Sequence, residues 1–169
     1  MQNDNLLLNF NDNFLQETKF SVTIQGLPYL SYFSNSLTIP GVSTSSAQLS
    51  TPYSDIKLGG DKLEYDYLSF TFLLDEDLRV WEESYKWLCG VTYPHDATEY
   101  ANQSKAGVYH DAIVAFNTNN NLENIRFQFK NCSPVSLSGI DMTFTGNAMN
   151  VLTSQMVLAY DNFTIERKS

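Results

Sequence analysis

Positive charge is what this chain has least of: ten Lys and Arg face nineteen Asp and Glu, for a net charge of −9 and a pI near 4.5. A surface this acidic repels a phosphate backbone, which excludes a protein that grips nucleic acid through basic contacts. Cysteine is scarce as well. Cys89 and Cys132 are too few for a secreted disulfide framework and cannot alone form a metal site, so a reduced, intracellular origin with both thiols packed as small apolar groups is expected. The two histidines, His95 and His110, each precede an aspartate. Neighbours on an extended chain point to opposite sides, so neither pair is a ready dyad. The chain has no nucleophile elbow, no phosphate-binding glycine loop and no His-x-x-x-His or Cys-x-x-Cys spacing. Its acids lack the alternation and glycine placement of a calcium loop. No window approaches the about twenty apolar residues needed to cross a bilayer, and the N-terminus lacks a signal-peptide pattern. The expectation is therefore no enzymatic activity, no cofactor, no metal and no membrane.

What is present is aromatic and β-patterned. With 169 residues, 43% apolar and 14% aromatic, the chain can bury one core and reads as one domain over 19–169. Residues 1–18 are polar and Asn-rich apart from Leu6 to Leu8, Phe10 and Phe14, and read as a mobile arm or short docking helix. Alternation of Phe20, Val22 and Ile24 with Ser21, Thr23 and Gln25 predicts a half-buried strand, stopped by Gly26 and Pro28. A second strand is predicted from Tyr32 to Ile39. Pro40 and Gly41 then open a Ser/Thr/Gly-rich segment of about twenty residues reaching Asp61, longer than a compact domain spends on a simple connection. Its sparse anchors Leu49, Tyr53, Ile56 and Leu58 suggest an extended hairpin, either an interaction element or a plain excursion.

The central signal is the strand Tyr65 to Leu74, with Leu68, Phe70, Phe72 and Leu74 on one face. Asp75, Glu76 and Asp77 follow as a cap for a helix predicted over Leu78 to Leu88, where Leu78, Trp81, Tyr85 and Leu88 form the apolar stripe and Gly90 ends the helix. Trp87 falls off that stripe and either caps the core edge or faces a partner. Residues 92–110 read as a polar loop. A hairpin follows, with a strand at Ala112 to Phe116, an Asn-rich turn, and Ile125, Phe127 and Phe129 inward on the return. Pro134 is expected to break that strand, Val135 to Thr145 carries further strand signals, and Gly146 to Asn150 is a polar turn. A last strand is predicted from Gln155 to Ile165, with Met156, Leu158 and Tyr160 on one face and a bulge after Asp161. The predicted fold is mainly β: a sandwich or small barrel of about seven or eight strands with one packed helix.

In order and spacing these motifs resemble the tail tube proteins of contractile-tailed phages, whose relatives include the type VI secretion tube protein and baseplate tube-initiator proteins. The resemblance rests on Leu37 to Gly41, on Gly60-Asp61 followed by Tyr65 to Glu76, on the helix with Trp81, Tyr85 and Trp87, and on Phe129 to Val135 with the closing strand through Tyr160. It spans about residues 20 to 166. It implies a hexameric ring in which sheets of neighbours join into an inner barrel, rings stacked into a rigid conduit for DNA and tape-measure protein, and a location in the virion tail after assembly in the host cytoplasm. Implied partners are further copies of the chain, the sheath, the baseplate initiators, the tape-measure protein and the tail terminator. The segment with Pro40, Gly41, Leu49, Tyr53, Ile56, Leu58 and Gly60 becomes the loop reaching a neighbouring subunit or ring. Trp81, Tyr85 and Trp87 become outer helix contacts. Among the acids, Asp55, Asp61, Glu64, Asp66 and Glu123 are candidates to line a lumen that DNA passes without binding. Two other readings stay open: a baseplate tube initiator, and a carbohydrate-binding β-sandwich whose exposed aromatics gather on one face.

Overall fold

A computed structural model describes residues 14–92, 107–143 and 151–168. The turn expected at 146–150 and most of the loop expected at 92–110 lie outside them, as do residues 1–13 of the arm. The described residues form nine strands and two helices: β1 Phe20–Ile24, α1 Pro28–Tyr32, β2 Ser34–Thr38, β3 Val42–Ser50, β4 Asp55–Tyr65, β5 Leu68–Leu73, α2 Arg79–Thr92, β6 His110–Asn117, β7 Glu123–Leu137, β8 Thr153–Ala159 and β9 Asn162–Arg167. The hydrogen-bonded order β1-β6-β7-β8-β5-β2, with β9 also on β7, is a mainly antiparallel wrap whose end strands do not pair, so the barrel stays open.

The 15-residue β7 organises this wrap. Its first half pairs with β6 and β9, and its second half, from Ser133, pairs with β8. Pro134 was expected to end the strand. Instead it pairs with Leu158 at the corner where β7 passes from one sheet to the other, with a register shift before Ser136. A residue without an N–H is tolerated where the ladder is already irregular. Beside it Asn131 adopts a left-handed φ of 55°. Its N–H donates to Asp111 Oδ1 at 3.1 Å and its Nδ2 to Asp161 Oδ2 at 2.6 Å, tying β7 to β6 and to the turn between β8 and β9. The same corner splits the predicted final strand, because the chain turns at Tyr160-Asp161 and β8 and β9 pair with different halves of β7. The strand signals after Val135 extend β7 only to Leu137.

The core follows the strand alternation. Leu68, Phe70 and Phe72 are buried with Val22, Ile24, Val114, Phe129, Met156 and Leu158. The predicted strand over 65–74 is shorter, since Tyr65 ends β4 and β5 begins at Leu68. The predicted strand from Tyr32 begins at Ser34, because Pro28 starts the short helix α1, where its fixed φ suits the first turn.

Helix α2 corrects the predicted stripe. The buried positions are Val80, Ser84 and Trp87, with Cys89 and Gly90 in the last turns, and the helix continues through Gly90 to Thr92. Ser84 belongs to the inner face because its hydroxyl donates to the Val80 carbonyl at 2.9 Å, which removes the cost of burying it. Trp87 is fully buried, with its indole N–H donating to the Val108 carbonyl at 3.0 Å and its ring edge-on to His110 at 5.2 Å. It is a core anchor and not an outer contact. At the helix start Asp75 caps as expected, its carboxylate accepting from the N–H groups of Arg79 and Val80 at 3.3 Å. Asp77 pairs with Arg79 at 2.9 Å. Glu83 reaches across to accept from Leu30 N–H at 3.0 Å, joining α2 to α1, and burial raises its pKa.

Two outcomes follow. Trp87→Ala removes a large buried side chain and is expected to lower unfolding free energy by about 3–5 kcal/mol in denaturant titration. Burial lowers the His110 pKa below its ordinary value of 6.5. A histidine depressed in the fold stabilises it fully above the unfolded pKa, and that stability is lost as pH falls below about 6.5, where the unfolded chain binds the proton more readily. The denaturation midpoint of the native chain should therefore fall between pH 7.5 and 5.5 by more than that of His110→Gln.

Candidate assembly surfaces

Strands β3 and β4 form a two-stranded sheet of their own, paired only with each other, and confirm the extended hairpin expected after Gly41. At about 3.3 Å per residue the nine-residue β3 spans ~30 Å. Pairing of Ala47 with Leu58 and Leu49 with Ile56 puts four apolar side chains on one face of its outer half. Leu49, Ile56 and Leu58 remain about half exposed, and Tyr53 in the turn is 99% exposed. A lone hairpin with no core beneath it is marginal in water, so this one needs a surface to lie on.

Two glycines shape the arm. Midway, Ser45 alone stands opposite Gly60, Asp61 and Lys62, and a Cβ on Gly60 would lie 2.0 Å from the Ser45 carbonyl oxygen. Only glycine allows that approach, so the Gly59-Gly60-Asp61 motif is the site of a bulge. At the root, a Cβ on Gly41 would meet an Asp66 carboxylate oxygen at 2.7 Å, while Asp66 N–H donates to the Gly41 carbonyl at 3.1 Å. Pro40 is buried beside it. The root is held on the body by aromatic contacts: Tyr65 packs on Tyr160 at 5.9 Å and on Phe163 at 5.7 Å, and both continue into Phe129. The Tyr160 hydroxyl is buried with no hydrogen-bond partner among the described residues, and burial pushes its pKa up to about 12. Sequence reading missed this cluster, although Tyr65, Tyr160 and Phe163 are all visible as aromatics beside turns.

The five candidate lumen acids do not come together. Asp55, Asp61 and Glu64 lie on the hairpin, and Asp66 lies at its root. Asp55 accepts from Gln48 Nε2 at 2.7 Å. Glu123 begins β7 elsewhere, bonded to Arg126 at 2.6 and 2.9 Å and to Lys168 at 3.3 Å. The Arg126 hydrogen bond holds its carboxyl below the usual range, and two cations offset its charge. It is therefore a poor source of negative potential.

On α2, Trp81 and Tyr85 stack at 5.4 Å with rings 6° from parallel, and the Trp81 indole N–H reaches the Ser138 carbonyl at 3.4 Å. They flank the buried stripe, with Tyr85 39% exposed. The described residues with ionisable or nucleophilic side chains are placed as follows. His110 is buried against Trp87, burial pushes the Cys132 thiol up to about 12, and no group of three His, Cys, Asp or Glu among the described residues could hold a metal. No described helix is long and apolar enough to cross a membrane.

The sequence profile of the phage tail tube protein family matches residues 5–166. No curated protein matches the chain by sequence. Among solved structures, a chain of the anti-feeding prophage tube-terminating cap is similar with a TM-score of 0.66 at 14% identity, over 92% of this chain and 93% of that one. A chain of the extended sheath–tube complex of an extracellular contractile injection system is similar at 0.61 and 13% identity, over 94% and 95%. A chain of the anti-feeding prophage baseplate gives 0.59 at 9% identity, over 92% and 97%.

Gly60→Ala should disturb the hairpin and spare the body: amide exchange protection is lost over residues 44–63, while the near-UV signal of Trp87 and the main unfolding midpoint stay within about 0.5 kcal/mol of the native chain. Tyr160→Phe should leave stability unchanged or raise it by up to about 1 kcal/mol, because it removes an unpaired buried hydroxyl.

Proposed function

The chain belongs to the phage tail tube protein family and is a structural component of a tail tube, and from that premise we propose that it is the repeating subunit, six copies forming a ring and rings stacking into a rigid conduit. The observation that carries this reading is the β3–β4 hairpin, an arm that holds Leu49, Tyr53, Ile56 and Leu58 in water unless a neighbour covers them. The end strands β1 and β2, each paired on one side only among the described residues, support it too, because joining sheets between subunits satisfies exposed edges. In this reading residues 19–169 are one domain and residues 1–18 an arm. Trp81 and Tyr85 face outward to the sheath. Further partners are the baseplate initiators, the tape-measure protein and the tail terminator, and assembly takes place in the host cytoplasm.

Its role is mechanical and non-enzymatic. A net charge of −9 on each copy gives about −54 for six, and an acidic wall passes DNA without retaining it. Asp55, Asp61, Glu64 and Asp66 are the acids proposed for that wall, and Glu123 is set aside because Arg126 and Lys168 occupy it. A second reading, a tube initiator in the first rings on the baseplate, has the fold similarity to a baseplate chain in its favour. Copy number per particle separates the two. A carbohydrate-binding role has no support beside a family of tube components.

Electron microscopy of the purified chain at high concentration should show six-fold rings or hollow tubes. A variant in which residues 45–62 are replaced by a short Gly-Ser turn should fold, with unchanged near-UV signal, and remain monomeric. A hairpin-less variant that still polymerises would overturn the reading.

A further inference from the structure

At the β7 corner the wrap divides into two halves of different composition. The half built from β1, β6, the start of β7 and β9 holds Asp111, Glu123, Arg126, Lys130, Glu166 and Arg167. The other half, built from the end of β7 with β8, β5 and β2, holds no Asp, Glu, Lys or Arg in its strands, in a chain that is 17% charged. Its inner face is the core side, where Phe70, Phe72, Met156 and Leu158 share one cluster with Val80 and Trp87 of α2. Alternation turns the intervening residues the other way. Pairing sets them in rows across the four strands: Thr38 beside Ser69, Ser69 beside Val157 and Val157 beside Ser136, then Ser36 beside Thr71 and Thr71 beside Gln155. None of these is buried. The face is therefore almost wholly hydroxyl and amide. It has neither the charges of a surface turned to bulk solvent nor the broad apolar patch of one that packs on a partner.

We propose that this face is the wall of the conduit, the surface along which a hydrated polyanion, double-stranded DNA, slides. The proposal deepens the reading of the chain as a repeating tube subunit and rests on it. Orientation supports it: the core lies between α2 and this face, so a ring that turns the exposed side of α2 outward turns the face inward. Chemistry supports it as well. A wall repeats around each ring and along every stacked ring, so even a weak attraction for phosphate is multiplied along the polymer, and each Lys or Arg contact would add to the hold. A hydroxyl or amide in water exchanges partners between water and phosphate at little net gain. Most of these side chains are Ser or Thr, so little projects from the pleat to catch a passing chain. The hairpin leaves this same half from β2 and β5, with Asp66 in the link between β4 and β5, so the hairpin acids border the neutral face. They supply repulsion at its margin, and the hydroxyls supply a surface without binding points.

Single cysteines report the placement, since both native thiols are buried. In tubes of the full-length chain, Thr71→Cys or Gln155→Cys should react with a small maleimide and lose reaction with a maleimide coupled to a protein wider than the bore, while the unassembled chain reacts with both. Lys86→Cys on α2, where the native side chain is 69% exposed, should react with both reagents in either state. In parallel, tubes of Thr71→Lys with Gln155→Lys should retain a short DNA duplex in co-sedimentation at low salt and release it at high salt, whereas native tubes retain none. Reaction of both wall cysteines with the wide reagent in tubes would overturn the placement and leave the tube reading intact. Protection from the small reagent would do the same, by putting the face in a contact between copies. Lysine-bearing tubes that retain no DNA would overturn the role given to the missing charges. A chain that stays monomeric at every concentration would overturn both readings.

Discussion

The structure hangs on the corner in β7. A strand that belongs to two sheets must change direction without losing its ladder, and it does so between Asn131 and Pro134. The left-handed backbone at Asn131 is an uncommon conformation that its side chain makes tolerable by bonding Asp161, while its N–H is held by Asp111. One carboxylate comes from the start of β6 and the other from the β8–β9 turn, so β6, β7 and the β8–β9 turn are locked together by one residue. Everything that positions the arm follows from that lock. The turn at Tyr160-Asp161 presents Tyr160 and Phe163 side by side, and Tyr65 at the foot of the hairpin settles on them.

Much of this was legible in the residues. The alternation from Leu68 to Phe72 and from Ile125 to Phe129 is a local signal, and it gave the right faces because a strand's period does not depend on what lies opposite. The hairpin was legible for a different reason: a long Ser/Thr-rich segment with a few sparse apolar anchors cannot build a core, yet is too long for a plain connection. Three features were not legible. The helix stripe was rotated by one position because Ser84 looks polar until its bond to the Val80 carbonyl is seen. Pro134 and Asp161 read as interruptions, and only the pairing across β7 shows that they mark a change of sheet. Helix α1 is five residues long, too short for periodicity, and Pro28 at its start was its one local sign.

The same distinction holds for the assembly surfaces. Exposed apolar residues, such as Tyr53, Leu49, Ile56 and Leu58, stand out in sequence as apolar residues without a pattern to bury them. Residues whose surroundings are set by the fold do not. Trp87 looks like an interface anchor and is a core residue, while Glu123 looks like free negative charge and is bonded to two cations. Burial and pairing are properties of the fold, and a list of acidic or aromatic positions does not contain them.

The hairpin strands bond only to each other, and beyond the root their side chains lie in water. The subunit is therefore two thermodynamic units of unequal strength, a body with a shared aromatic interior and an arm whose order is completed from outside. Melting of the dilute chain reports the body alone. In the proposed stack of rings each arm would be stabilised by a neighbour's body, and heat resistance would become a property of protein concentration and of how many copies have already joined. A particle built this way is least robust at its growing end, where the last arms have nothing to rest on.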